Sequence, residues 1–306
     1  MKLNDIYLRD PYVYVEDGVC YLVGTSDIQA WGGKASGFLG YKSSDLQNFE
    51  GPFALFENTP SFWADENFWA PELHFINGEW HIYTCFGDVH STNQHMYVLR
   101  NHSTDPAAPY VFASYLDNGD DKWAIDGHIF DHDGKMYYVY SSFGVYFGEV
   151  YQALYIVRMK DPYTMELPRR LLSLSEYDWE KGGCDGGNRP YVNEGAYAVR
   201  HNGKLHIIYS ASGCWTDHYC MGLLSFKGGD ILDKGNWEKL PHPILSNQDG
   251  YDAPGHASFI QNSPDGKEYC FFHSYETDCQ RGEPFVLGHA ATLSWDGDMP
   301  VIKEDF

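Results

Sequence analysis

Residues 126–140 read DGHIFDHDGKMYYVY: a carboxylate opens a short apolar run, a polar turn carries Gly134, and alternating aromatic and β-branched residues follow. That order predicts a strand, a hairpin turn and a second strand. The pattern recurs at residues 10–22 (DPYVYVEDGVCYL), 70–83 (APELHFINGEWHIY), 195–209 (GAYAVRHNGKLHIIY) and 255–272 (GHASFIQNSPDGKEYCFF). The turn glycines Gly18, Gly78, Gly134, Gly203 and Gly266 stand 60, 56, 69 and 63 residues apart. Units of that length exceed the roughly 40–50 residues of familiar propeller repeats, a difference that longer loops explain. Solenoid repeats are shorter and more regular, so radial closure is expected. No long stretch carries capped helical periodicity. Aromatics make up 17% of the chain, 24 of them Tyr, and many fall at alternate positions, which suits packed sheets. One all-β domain spanning residues 1–306 is therefore expected, with no linker inside it.

Three acids share a phase in this repeat. Asp10 and Asp126 stand eight residues before their turn glycines, and Glu194 stands nine before its own. In a propeller the first strand of each blade lines the central channel, so the three would point into one cavity from units 1, 3 and 4. A lone acid at such a place would as readily cap a turn. Convergent carboxylates are what glycosidic bond cleavage requires.

The formal net charge is −22, with 43 acidic against 21 basic residues. That balance disfavours nucleic acid, anionic membranes and acidic polysaccharides as partners, and it is compatible with a neutral sugar. Seven cysteines follow no ligand spacing, which predicts free thiols and a reducing compartment. No apolar leader follows Met1-Lys2-Leu3-Asn4-Asp5, so a cytoplasmic protein is expected, although a secreted chain trimmed of its leader would read the same. No apolar run reaches membrane-spanning length.

His256 opens the fifth inner strand, where residues should face the axis. A hydrogen-bonded core histidine is the ordinary reading there and a metal ligand the alternative. Trp69 directly precedes an inner strand and Trp215 follows the second strand of unit 4. Indole faces stack on sugar rings, while packing between sheets is the competing use.

These residues resemble glycoside hydrolase family 43. The resemblance runs from about residue 6 to 301. It is carried by Arg9-Asp10-Pro11, Phe68-Trp69-Ala70-Pro71-Glu72, Asp126-Gly127, Val192-Asn193-Glu194-Gly195 and Pro254-Gly255-His256-Ala257-Ser258-Phe259, taken in order. It implies a five-bladed β-propeller and an inverting mechanism. Asp10 would be the general base, Glu194 the general acid and Asp126 the residue that orients the acid and tunes its pKa. His256 matches an axial histidine that contacts a calcium ion or a water cluster, and no organic cofactor is implied. The implied substrates are arabinofuranosides or xylosides of plant cell walls, with exo-acting α-L-arabinofuranosidase favoured by Ser210-Ala211-Ser212 and Tyr219-Cys220-Met221-Gly222. A β-xylosidase or β-galactosidase on the same scaffold is the first alternative, and a non-catalytic sugar-binding propeller the second. Trp69, Glu72, His128, Trp215 and Arg281 are the expected substrate contacts. Two departures bear on specificity: Ala196 stands where the family often has Pro, and His128 where it often has Thr.

Overall fold

The computed structural model describes residues 1–26, 34–87, 94–120, 122–276 and 285–303. Among them twenty strands follow one another, interrupted only by short 3-10 turns. The chain is all-β, as its alternating pattern predicts. No helix among the described residues is long and apolar enough to cross a membrane.

The strands form consecutive antiparallel meanders of four, covering 9–57, 66–115, 124–173, 191–239 and 252–303. The third and fourth join into one sheet where Tyr151 and Gln152 run parallel to Tyr191 and Val192. The opening strands are Arg9–Glu16, Glu66–Ile76, Ala124–His132, Tyr191–His201 and Asp252–Ile260. Each touches the opening strands before and after it, and the first touches the fifth.

The turns follow from their residues. Glu16 pairs with Val19, Ile76 with Glu79, His132 with Lys135 and His201 with Lys204. That leaves the two-residue turns Asp17-Gly18, Asn77-Gly78, Asp133-Gly134 and Asn202-Gly203, with positive φ at both positions of each. Only this mirror-image turn matches the twist of the flanking strands, and Asx-Gly adopts it at least cost. The fifth hairpin is longer: Ile260 pairs with Tyr269, and Ser263 donates to Asp265 at 2.7 Å inside the loop.

Aromatic layers fill the space between meanders. Phe38, Phe68, Trp80, Phe86 and Tyr97 pack between the first two. Leu3, Ile6, Leu8 and Val13 pack against Ile260, Tyr269 and Phe271, joining the two ends of the described chain.

Candidate active site

The opening strands are regular except where the site lies. Asp10, Ala70, Asp126 and Gly195 adopt left-handed φ values of 52°, 44°, 55° and 53°. Each stands eight residues before its turn glycine, and strand pairing slips at every one of them. These are β-bulges, which re-aim a side chain at the cost of a ladder bond. A left-handed non-glycine residue costs roughly 1–3 kcal/mol and persists where its surroundings hold it. Asp10 and Asp126 are themselves the bulged residues. Glu194 precedes its bulged glycine and leaves its strand one position earlier.

The three carboxylates line one pocket with Arg9, Trp69, Tyr219, His256 and His273. All three are buried. Asp10 accepts from Thr25 Oγ1 at 2.6 Å, and Thr25 Oγ1 in turn accepts the Ala70 amide at 2.8 Å. The Asp10 amide donates to His273 Nδ1 at 3.1 Å. His256 Nδ1 lies 3.1 Å from Asp10 Oδ1 and 3.8 Å from Asp126 Oδ2. Asp126 Oδ2 accepts the Gly195 amide at 3.2 Å, which ties it to the peptide that follows Glu194. Glu194 accepts from Gln152 Nε2 at 2.6 Å and from the Tyr219 hydroxyl at 2.8 Å.

Environment divides the acids. Burial opposes ionisation of Asp10, but His256, Arg9 and His273 outweigh it and hold this carboxyl far below the usual range. Burial raises Asp126 to about 8, helped by the neighbouring Glu194 and Asp10 charges. Burial also raises Glu194, against His256 and its two hydrogen-bond donors. His256 is lowered by burial but raised more by Asp10 and Asp126, reaching about 10. Burial takes His273 down to about 3, consistent with its Nδ1 accepting an amide proton. One ionised carboxylate thus faces a pair, Asp126 and Glu194, whose proton affinities are raised and which together keep a proton up to about pH 8, the division that acid–base cleavage needs.

Trp69 forms part of the pocket wall. Glu72 and His128 do not reach it. His128 Nδ1 lies 2.8 Å from Glu72 Oε2, in the layer beneath the acids, because each follows its bulged residue by two positions. Trp215 is 41% exposed and packs beside Gly213, next in sequence to Cys214, which lines the pocket. Arg281 lies outside the described residues. Tyr219, like Trp215 an aromatic that follows the second strand of unit 4, does line the pocket; Arg9 belongs to a quoted motif without an expected role, and adjacency to Asp10 is the signal that could have singled it out. Gln152 and His273 come from a third and a second strand, where nothing local marks them.

A calcium ion at His256 does not suit these donors. The imidazole is held protonated between two carboxylates, so both of its nitrogens are donors, and calcium takes six to eight oxygen ligands.

The sequence profile of glycosyl hydrolases family 43 matches residues 5–294. The extracellular exo-alpha-(1->5)-L-arabinofuranosidase of Streptomyces chartreusis is 31% identical over 222 residues, covering 71% of this chain and 65% of that enzyme. Alpha-L-arabinofuranosidase B of Pyricularia oryzae is 28% identical over 223 residues, covering 71% and 44%. The match thus takes in less than two thirds of either relative. The crystal structure of an alpha-L-arabinofuranosidase from Lactobacillus brevis shares the fold, with a TM-score of 0.81, 24% identity and coverage of 99% and 97%. The expectation of a cytoplasmic protein does not hold, because the Streptomyces relative is extracellular. The thiols misled it. The six described cysteines are unpaired, and four of them are buried strand residues. Burial raises their pKa values. Such thiols are inert hydrophobes and report nothing about redox compartment.

Proposed function

Because the chain belongs to glycosyl hydrolases family 43, we propose that it is an inverting, exo-acting glycoside hydrolase. Its substrates are neutral arabinan or arabinoxylan oligosaccharides, from which it removes terminal α-L-arabinofuranosyl groups. The names of its relatives support the sugar and the exo action, and the net charge of −22 suits a neutral ligand. The scaffold is a single five-bladed propeller. Support comes from the succession of four-strand meanders and from opening strands that touch in a ring.

In this mechanism Asp10 is the general base. Its carboxylate takes a proton from a water molecule, which attacks the anomeric carbon from the face opposite the leaving group. Glu194 is the general acid and gives its proton to the leaving oxygen. Asp126 holds the Gly195 peptide and, by its charge, raises the proton affinity of the pair it forms with Glu194. Inversion requires base and acid roughly 6.5–9.5 Å apart so that water fits between them. Trp69 offers an indole wall for the sugar ring. Arg9 is buried, and its Nε and Nη2 have no hydrogen-bond partner among the described residues; an unpaired buried donor is costly, and sugar hydroxyls in the pocket satisfy it.

The observation that carries this reading is three carboxylates in one pocket whose surroundings push their proton affinities apart. A panel of nitrophenyl glycosides tests it. The α-L-arabinofuranoside should be hydrolysed well ahead of the β-D-xyloside and β-D-galactoside, and proton NMR should show the inverted anomer first. A retained product, or sugar binding without turnover, would sink it.

A further inference from the structure

Beneath the acids lies a second layer of inward-facing residues, each two positions along its strand: Tyr12, Glu72, His128 and Tyr197. Glu72 Oε2 is shared by two imidazoles, with His128 Nδ1 at 2.8 Å and His74 Nε2 at 3.0 Å. The three side chains are 11%, 4% and 11% exposed for Glu72, His128 and His74. The Tyr12 hydroxyl lies 3.4 Å from His74 Nε2. One carboxylate oxygen and two ring nitrogens all fall within 4.8 Å of one another.

We propose that Glu72, His74 and His128 bind a divalent first-row transition metal, for which zinc is the probe. Two imidazoles and a carboxylate form a borderline N/O donor set that suits such ions. With bonds of about 2.0–2.1 Å, oxygen–nitrogen separations of this size subtend roughly 90° at the metal. That is the cis angle of a site that leaves coordination positions for further ligands. The two ring nitrogens would have to stand within about 4 Å of each other in the metal-bound state. The ion would bridge the strands Glu66–Ile76 and Ala124–His132. It touches none of the three acids, so its expected effect is to clamp the second meander to the third and raise thermal stability.

The test uses the whole chain, stripped with a chelator, dialysed and titrated with Zn2+ or Ca2+, with bound metal counted by mass spectrometry and affinity measured by calorimetry. One equivalent of zinc should bind and raise the melting temperature. Glu72→Gln and His128→Gln should each weaken binding by tenfold or more and remove the thermal shift. His74→Gln serves if the other variants fail the circular dichroism check for folding. Absence of stoichiometric zinc binding overturns the proposal. So does binding undiminished in a folded variant, or tighter binding of calcium than of zinc. None of these readouts depends on hydrolysis, so the site and the glycosidase reading can fail separately.

Discussion

Asp10 and Glu194 are both buried carboxyl groups in one pocket, yet their neighbours give them opposite tasks. Asp10 has His256, Arg9 and His273 around it; Glu194 has Asp10 among its neighbours and burial to contend with. Asp10→Asn and Glu194→Gln should each lower kcat by roughly 10²–10⁴-fold with the circular dichroism spectrum unchanged; wild-type turnover in either would refute the assignment. The pH profile follows from the same neighbours. Asp10 stays ionised across the working range, so it sets no limb near neutrality. The proton held by Asp126 and Glu194 leaves as pH rises through about 8, and kcat/KM should fall there. Asp126→Asn removes a negative charge beside Glu194 and lowers its proton affinity, so this limb should move to lower pH. A limb that stays in place would show that Asp126 does not tune the acid. Stability carries the same sign for His256: its folded pKa of about 10 exceeds the ordinary 6.5, so its contribution is full below pH 6.5 and fades as pH rises through 10. Arg9→Lys keeps the charge but loses the fork of donors. Loss of a hydrogen bond to a charged group costs about 1.5–3 kcal/mol, so KM should rise roughly tenfold or more with a smaller change in kcat. An unchanged KM would remove Arg9 from substrate contact.

At the scale of the strand, the bulges make the site, and they explain what could be read from the chain. Asx-Gly turns are local chemistry, so the hairpins were legible from Asp17-Gly18 through Asn202-Gly203. Counting back from those glycines located Asp10 and Asp126. The same count hid a detail: Gly195, not Glu194, is the phase equivalent of Asp10, because a bulge adds a residue that no alternating pattern records. Glu72 and His128 were misplaced for the same reason, since period two carries them into the layer below. Gln152 and His273 reach the acids from other strands, and such contacts leave no mark in local sequence. Gly127 gives a test of how tightly the bulged strand is held. A Cβ there would sit 1.8 Å from the Tyr138 hydroxyl oxygen, and Tyr138 is fully buried. Gly127→Ala should therefore cost about 1–3 kcal/mol or more of stability, read as a fall in the urea midpoint at constant slope. An unchanged midpoint would mean that the ring moves aside freely.

Over the whole molecule, the pocket exists only because distant segments are held in one arrangement. Asp10 comes from the first meander, while His256 and His273 beside it come from the fifth, and the seam between those two is non-covalent. Besides the contacts of Asp10 with His256 and His273, it includes the apolar cluster around Leu8, Val13 and Phe271 and a short polar chain. Ser258 Oγ accepts the Val13 amide at 3.2 Å and donates to the Pro11 carbonyl at 2.8 Å, bracketing the residues that follow Asp10. Ser258→Ala leaves a buried amide and a buried carbonyl without these partners, at a cost of about 1–3 kcal/mol. The melting temperature should fall by several degrees. If the seam positions the base, kcat should also fall at temperatures where the variant is fully folded, because Asp10 shifts relative to Glu194 while the sugar-binding wall at Trp69 stays in place and KM changes little. Ser263→Ala, in the turn of the same hairpin and outside the pocket wall, is the control and should leave kcat untouched. A Ser258→Ala enzyme that melts early yet turns over at the wild-type rate would show that Asp10 is positioned without Ser258, by Thr25 of its own meander and by His256 and His273 of the fifth.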